Sequence, residues 1–314
     1  MKKKTTYRVR NWSDYNRSLR NRGNLTFWIS EELIDNWFTV EKSGTRGRSV
    51  QYSAAAIQAV ASLKFVFRQA GRQTCGLLAS VFRLLKVDLS VPDHSTVSRR
   101  MAGLEVGLPI KAGGGGRHLV IDSTGLKVYG EGEWKVRTHG VSKRRVWRKL
   151  HLCLDAATGE VMVAAATENS VSDCTMFPEM LAAVEGEIEQ ISADGSYDRR
   201  KVYAALNEGG VKRAAIPPRK GAKIWQHGNS SKERLIRDEN LRSVRRKGRA
   251  KWKREADYHK RSLAETGVFR FKTIFSDKLQ SRKQENQFQE MIIKCAALNR
   301  MTHLGMPDSY KIFV

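Results

Sequence analysis

Cysteine, acidic residues and long apolar runs are all in short supply in this 314-residue chain, and each shortage narrows the reading. The only cysteines are Cys75, Cys153, Cys174 and Cys295. None forms a C-x-x-C pair and no histidine stands at zinc-ligand spacing from them. This argues against a zinc site or a disulfide framework and suits a reducing compartment. The best apolar stretch, Ala54 to Phe67, is broken by Gln58, Ser62 and Lys64, so no membrane span is expected. The basic start, Met1 to Arg10, runs into Asn11, Trp12, Ser13 and Asp14 without an apolar core, which does not suit a signal peptide. A soluble, cytoplasmic protein is the expectation. Acidic residues number 32 against 57 Lys and Arg, a formal charge of +25. Such an excess implies a polyanionic partner, because each phosphate neutralised by Lys or Arg releases a counterion.

Two regions with different patterns flank the glycines Gly113 to Gly116. Such a run cannot hold the interior of an element, so 113–117 reads as a linker between domains 1–112 and 118–314. Upstream, residues 1–24 read as a polar, basic arm. Helical patterns follow over 31–38, 52–69 and 74–85, the first with Ser30 as N-cap. The run His94 to Met101 reads as a further helix with Ser98, Arg99 and Arg100 on its outer face. That composition suits a helix-turn-helix recognition element, with a solvated helix of a bundle as the alternative. The first domain is therefore expected to be helical and DNA-binding.

Downstream, strand patterns begin. His118-Leu119-Val120-Ile121-Asp122 is an apolar run that would present Asp122 at its end. Segments 147–155 and 161–167 flank a hairpin turn, and Gln190 to Asp194 is another strand with a terminal carboxylate. Helices are expected at 173–184, 198–206, 258–275 and 285–300, and a strand at 213–216. Three antiparallel strands followed by parallel ones is the order of an RNase H-like mixed-sheet core, an α/β fold. Residues 219–254 fit no core element and read as a flexible basic insertion. From Lys212 to Arg261 there are eighteen Lys/Arg against five Asp/Glu, a net of +13. Trp225 and Trp252 lie among these charges, where an aromatic can stack an exposed base or simply pack in a core. A second basic cluster comprises Lys135, Arg137, Lys143, Arg144, Arg145, Arg148 and Lys149. Beside Asp122, it would line a path for DNA phosphates. The helix 285–300 would pack on the core or take part in a dimer.

Moving a phosphodiester bond is served by two divalent cations roughly 3.5–4 Å apart, held by carboxylates. Mg²⁺ prefers oxygen ligands and keeps several waters, so a few Asp or Glu suffice. Asp122, Asp194 and Glu265 are the candidates. Gly195 follows Asp194 in Asp194-Gly195-Ser196-Tyr197-Asp198, where the backbone can turn sharply. Tyr258, Arg261, Glu265 and Lys272 follow the spacing Y-x(2)-R-x(3)-E-x(6)-K, which on a helix forms one stripe. The carboxylate would take metal and the other three would hold phosphates.

With D-G-x-Y-D, this signature resembles the DDE transposases of bacterial insertion sequences. Further stretches, Leu119 to Lys127, Glu133 to Arg137, Arg144 to His151 and Arg261 to Thr266, are similar to the subgroup related to the transposase flanking a kanamycin-resistance composite transposon. The resemblance implies Mg²⁺, with Mn²⁺ able to substitute, and double-stranded DNA at terminal inverted repeats and at a target. It also implies cleavage with strand transfer, a homodimer or higher assembly on DNA, and a place at the nucleoid. A silent DNA-binding derivative and a nuclease without strand transfer are the alternatives.

Overall fold

The computed structural model describes residues 5–40, 51–111, 113, 115–128, 146–226 and 234–313. It divides into two compact units, 1–107 with 296–314, and 108–295.

The first unit opens with strand β1 (Thr5–Val9), which pairs antiparallel with the C-terminal strand Ser309–Phe313. Helices α1 (Trp12–Asn21), α2 (Leu25–Trp28) and α3 (Glu31–Asp35) follow. The expected arm at 1–24 is therefore folded from Thr5 onward. Its strand partner lies at the other end of the chain, beyond the reach of local pattern. Helix α4 (Ala54–Val66) starts where the Ser53 side chain accepts from the Ala56 N–H at 3.0 Å. Ile57, Val60, Ala61, Leu63 and Phe65 are buried, so α4 is the core of this unit. Helix α5 (Gly71–Leu84) and helix α6 (His94–Met101) pack with it. Asp93 caps α6, accepting from the Ser95 N–H at 2.8 Å. The hydrogen bonds from Ser95 hold the Asp93 carboxyl down to about 2. The connection 85–93 is longer than the three- or four-residue turn of a tight helix-turn-helix.

The second unit is a mixed sheet with helices. Strands β2 (Arg117–Val128), β3 (Trp147–Asp155) and β4 (Val161–Glu168) are antiparallel. Helix α7 (Asp173–Ala182) leads to β5 (Ile188–Ser192), helix α8 (Arg200–Glu208) and β6 (Arg213–Ala215). The sheet order is β4-β3-β2-β5-β6, with β5 parallel to both β2 and β6. Helices α9 (Ile236–Lys247), α10 (Arg249–Glu255) and α11 (Ser262–Phe275) follow, then the short strand β7 (Lys278–Leu279) beside β2. Helix α12 (Gln284–Leu304) contains the division between the units at 295/296, and the last strand is β8 (Ser309–Phe313). Residues 296–314, expected in the catalytic core, group with the first unit.

One face of the sheet presents Leu119, Ile121, Cys153 and Ile191 to Phe177 of α7 and Leu206 of α8. On the other face α11 packs against β2 and β3, burying Ala264, Phe271 and Phe275. Gly267 permits that approach, since a Cβ there would overlap the Leu154 side chain.

The expected flexible insertion is a correction. Its described part from Ile236 to Glu255 is helical and anchored by buried charge. Arg237 is buried; its Nε donates to Asp198 Oδ1 at 2.9 Å and its guanidinium also reaches Asp238 at 3.1 Å. Asp238 accepts from the backbone N–H groups of Trp225 and Gln226, and Asp198 from that of Arg219. Leu241 and Trp252 are buried as well. Composition suggested disorder because the apolar residues are few; what it did not weigh is that ion pairs can supply the anchoring.

Removing Arg237 leaves two buried carboxylates without their partner. Arg237→Ala is expected to cost about 3–5 kcal/mol of stability, read as a lowered urea midpoint. A loss under about 1 kcal/mol would show that the network does not hold this segment.

Candidate active site

Three carboxylates reach one end of the β2–β5 pair by three routes. Asp122 lies within β2, opposite Leu152 of β3. The sequence placed it at a strand end, but β2 runs on to Val128 because Ser123 to Lys127 continue the ladder with β3. What ends there is the other neighbour: β5 pairs with β2 only as far as Val120–Ser192. Asp194 follows just beyond that point. It caps a 3-10 turn, Gly195–Tyr197, accepting from the Ser196 N–H at 2.7 Å and from the Ser196 hydroxyl. Glu265 stands in the first turn of α11, on the sheet face to which Asp122 points.

Arg261 joins these groups. Its guanidinium reaches Asp122 Oδ2 at 3.4 Å and also pairs with Glu265. The expected helix 258–275 is a 3-10 turn over Tyr258–Arg261, preceded by the left-handed Asp257 at φ 52, that runs into α11. This leaves Arg261 one turn before Glu265 and keeps the two in contact. Lys272 is two turns further on, in the last turn of α11.

The electrostatics are those of a site short of positive charge. Burial pushes the Asp122 carboxyl above its ordinary value; Arg261 opposes this, while Asp194 and Glu265 add to it. For Arg261, burial works against the charge, but Tyr258, Glu265, Asp122 and Asp194 outweigh it and its pKa is raised. Burial also raises the Tyr258 phenol, which stays a neutral donor. The donor set is hard oxygen, which suits Mg²⁺ or Mn²⁺ in kind. In geometry, no group of three or more His, Cys, Asp or Glu among the described residues converges closely enough to hold an ion. Asp122 and Glu265 are bridged by Arg261 instead.

Other expected site residues are placed elsewhere or differently. Arg144, Arg145, Lys135, Arg137 and Lys143 lie outside the described residues. Arg148 donates to Gln287 Oε1 at 2.9 Å and lies over the Phe288 ring. Lys149 donates to the Val171 carbonyl at 2.7 Å and pairs with Asp173 at 3.3 Å. Both have partners within the fold. Trp252 is buried and its indole donates to Asn240 Oδ1 at 3.2 Å. Trp225 lies between the guanidinium groups of Arg200 and Arg237, at 4.9 and 3.9 Å, with Tyr203 edge-on to it. Trp252 is packed within the fold, while Trp225 is only partly buried. Trp252 packs against Tyr258, with ring centroids 6.1 Å apart. In the first unit, Ser98 and Arg99 are exposed on α6, while Arg100 donates to the Tyr52 carbonyl. Asp198, the last residue of the D-G-S-Y-D motif, pairs with Arg237 at 2.9 Å. Its spacing to Arg237 carries no local signal, and only the fold reveals the pair.

Two family models for the transposase DDE domain match this chain, one over residues 113–300 and one over residues 20–131. The chain belongs to the DDE transposase family. The six-stranded mixed sheet is compatible with the core of such an enzyme.

The raised Asp122 pKa has a consequence for stability. The folded state binds this proton more tightly than the unfolded chain, so the ionised carboxylate costs stability as pH rises through the folded value. Asp122→Asn is therefore expected to raise Tm in chelator at neutral pH. The gain should vanish as pH falls below the ordinary carboxylate range. A lowered Tm at neutral pH would reverse the assignment.

Proposed function

We propose that the protein binds the terminal inverted repeats of an insertion sequence and catalyses divalent-metal-dependent DNA cleavage and strand transfer. The observation that carries the reading is that Arg261 pairs with both Asp122 and Glu265 at the end of the β2–β5 pair, where Asp194 directly follows β5. Membership of the DDE transposase family supports it. No described helix is long and apolar enough to cross a membrane.

Asp122, Asp194 and Glu265 would hold the metal, with Mg²⁺ the expected ion. When bound, the ions stabilise charge on the phosphoryl group and support both the attacking and the leaving oxygen. Arg261 can turn from the carboxylates to two oxygens of the phosphate, the fork geometry for which a guanidinium is suited. Tyr258, held neutral, can donate a hydrogen bond, and Lys272 can bind a phosphate two turns along α11. Water attacks the phosphorus at the transposon end and its bond to the 3′ oxygen breaks; the freed 3′-OH then attacks a target phosphodiester, and the new P–O bond forms as the target's bond to its own 3′ oxygen breaks and that strand leaves with a 3′-OH. Ser98 and Arg99 of α6 are proposed to contact the end sequence. Arg100, tied to Tyr52, would then support the helix rather than read bases. Assembly as a dimer on DNA and residence at the nucleoid belong to the same proposal.

With a supercoiled plasmid carrying the repeats, Asp122→Asn, Asp194→Asn and Glu265→Gln should each drop nicking below detection in Mg²⁺ and leave end binding within about twofold. Wild-type cleavage by any one would remove that residue from the site. A target-joined product distinguishes a transposase from a nuclease. Ca²⁺ should support binding without cutting.

Arg99→Ala in the full chain should reduce the preference for end sequence over random DNA by about 1–3 kcal/mol. The full chain is needed because 296–314 belongs to the same unit as α6. An unchanged ratio would mean that Arg99 touches only backbone.

A further inference from the structure

Beside the catalytic carboxylates lies an open hollow of about 530 Å³ that the proposed mechanism does not use. Arg219, Lys220, Arg249 and Lys253 line it, together with Gly195, two prolines and Tyr258. Among the described residues, no acidic one lines it. Its cations come from two separate segments, the turn after β6 and helix α10, so the folded insertion creates the hollow.

The cations are held without being neutralised. Arg249 donates to the Pro218 carbonyl at 2.7 Å and Arg219 to the Ser196 carbonyl at 3.1 Å. Lys253 Nζ stands 4.8 Å from the centre of the Tyr258 ring. Carbonyls and a ring face orient positive charge but do not cancel it. The floor is tight: a Cβ on Gly195 would come within 3.3 Å of the Pro217 carbonyl oxygen. A second basic hollow, of about 550 Å³, makes the contrast. Arg213, Arg234, Arg242 and Arg246 line it, but Glu239 and Glu255 do too. Arg242 there is paired to Glu239 at 2.7 Å.

We infer that the acid-free hollow is a phosphate site for the DNA strand being cut, receiving a phosphate that adjoins the scissile one. This rests on the proposed function and names a part of its substrate contact. The hollow starts at Gly195, directly after Asp194, and ends at Tyr258, one turn before Arg261. A strand entering the carboxylates from this side must pass over Lys220, Arg249 and Lys253. An open trough of fixed cations suits a polyanion that runs through it.

The test is the salt dependence of binding to a transposon-end duplex, in chelator. Each lost phosphate contact lowers the slope of log K against log salt by about 0.9. Lys220→Gln with Lys253→Gln should lower it by about 2. Arg242→Gln with Arg246→Gln, in the paired hollow, should leave it unchanged. A second measurement replaces single phosphates near the cut by neutral methylphosphonates. One replacement should weaken wild-type binding and have no further effect on the Lys220/Lys253 variant. The inference falls if the wild-type slope survives the Lys220/Lys253 change, if the control pair lowers it equally, or if every replacement acts additively with the variant. Should the wild type neither bind nor nick the end duplex, the underlying reading fails instead.

Discussion

The buried guanidinium of Arg237 is the tie on which the catalytic unit depends. It joins Asp198, the last residue of D-G-S-Y-D, to Asp238 at the start of α9. Asp198 lies four positions after Asp194, so the tie fixes a strongly basic segment close to one of the carboxylates proposed to hold metal. The desolvation of three charges is costly and is offset only because their hydrogen-bonding capacity is used. Backbone N–H groups of Arg219, Trp225 and Gln226 complete the two carboxylates, and the Lys223 carbonyl accepts from Arg237. Chain order then passes the constraint along. Helix α10 buries Trp252, Trp252 supports Tyr258, and the left-handed Asp257 turns the chain so that Arg261 meets Asp122 and Glu265.

Burial at Asp122 has the opposite sign. The network around Arg237 brings opposite charges together, whereas the carboxylates at the end of β5 gather like charge around one guanidinium. A fold selected for stability alone would not keep a desolvated Asp within reach of two further acids. The arrangement becomes favourable when cations and a phosphate join it, which is why a perturbed carboxylate in such company marks a functional site. Arg261 limits the cost meanwhile, and as a phosphate ligand it would leave the carboxylates when substrate arrives.

The parts of this molecule legible in the sequence are those that local chemistry dictates. The apolar run before Asp122 and the Gln190–Asp194 run announced two strands, and the spacing from Tyr258 to Lys272 placed a carboxylate and a guanidinium together. Ser30 and Ser53 mark helix starts because their hydroxyls accept free N–H groups. The pairing of β1 with β8 was not legible, since nothing in Thr5–Val9 specifies a partner some three hundred positions away. Nor was the order of 234–255. Arg and Asp in a sequence look the same whether solvated or paired in an interior, and only the partner's position distinguishes them. For the same reason the sequence left Trp225 and Trp252 open between stacking a base and packing, while the fold buries Trp252 and sets Arg237 over Trp225.

Net charge therefore says that a polyanion is bound but not where. What locates the site is the distribution of the minority charge. Among the basic surfaces of the catalytic unit, Arg148 is taken up by Gln287, Lys149 by Asp173, and Arg242 by Glu239. Each such commitment lowers what a phosphate can gain, because an incoming anion must compete with a partner already in place. Arg219, Arg249 and Lys253 are oriented by carbonyls and a ring, partners that keep the field of the cation intact. With no acid among the described residues lining the hollow, none of them cancels that field locally. In a chain with 32 acidic residues, the places from which acids are excluded are more informative than the places where bases are found. By that measure the hollow and the carboxylate cluster complement each other under the proposed function: one would attract the DNA backbone, and the other would gain its missing positive charge from cations.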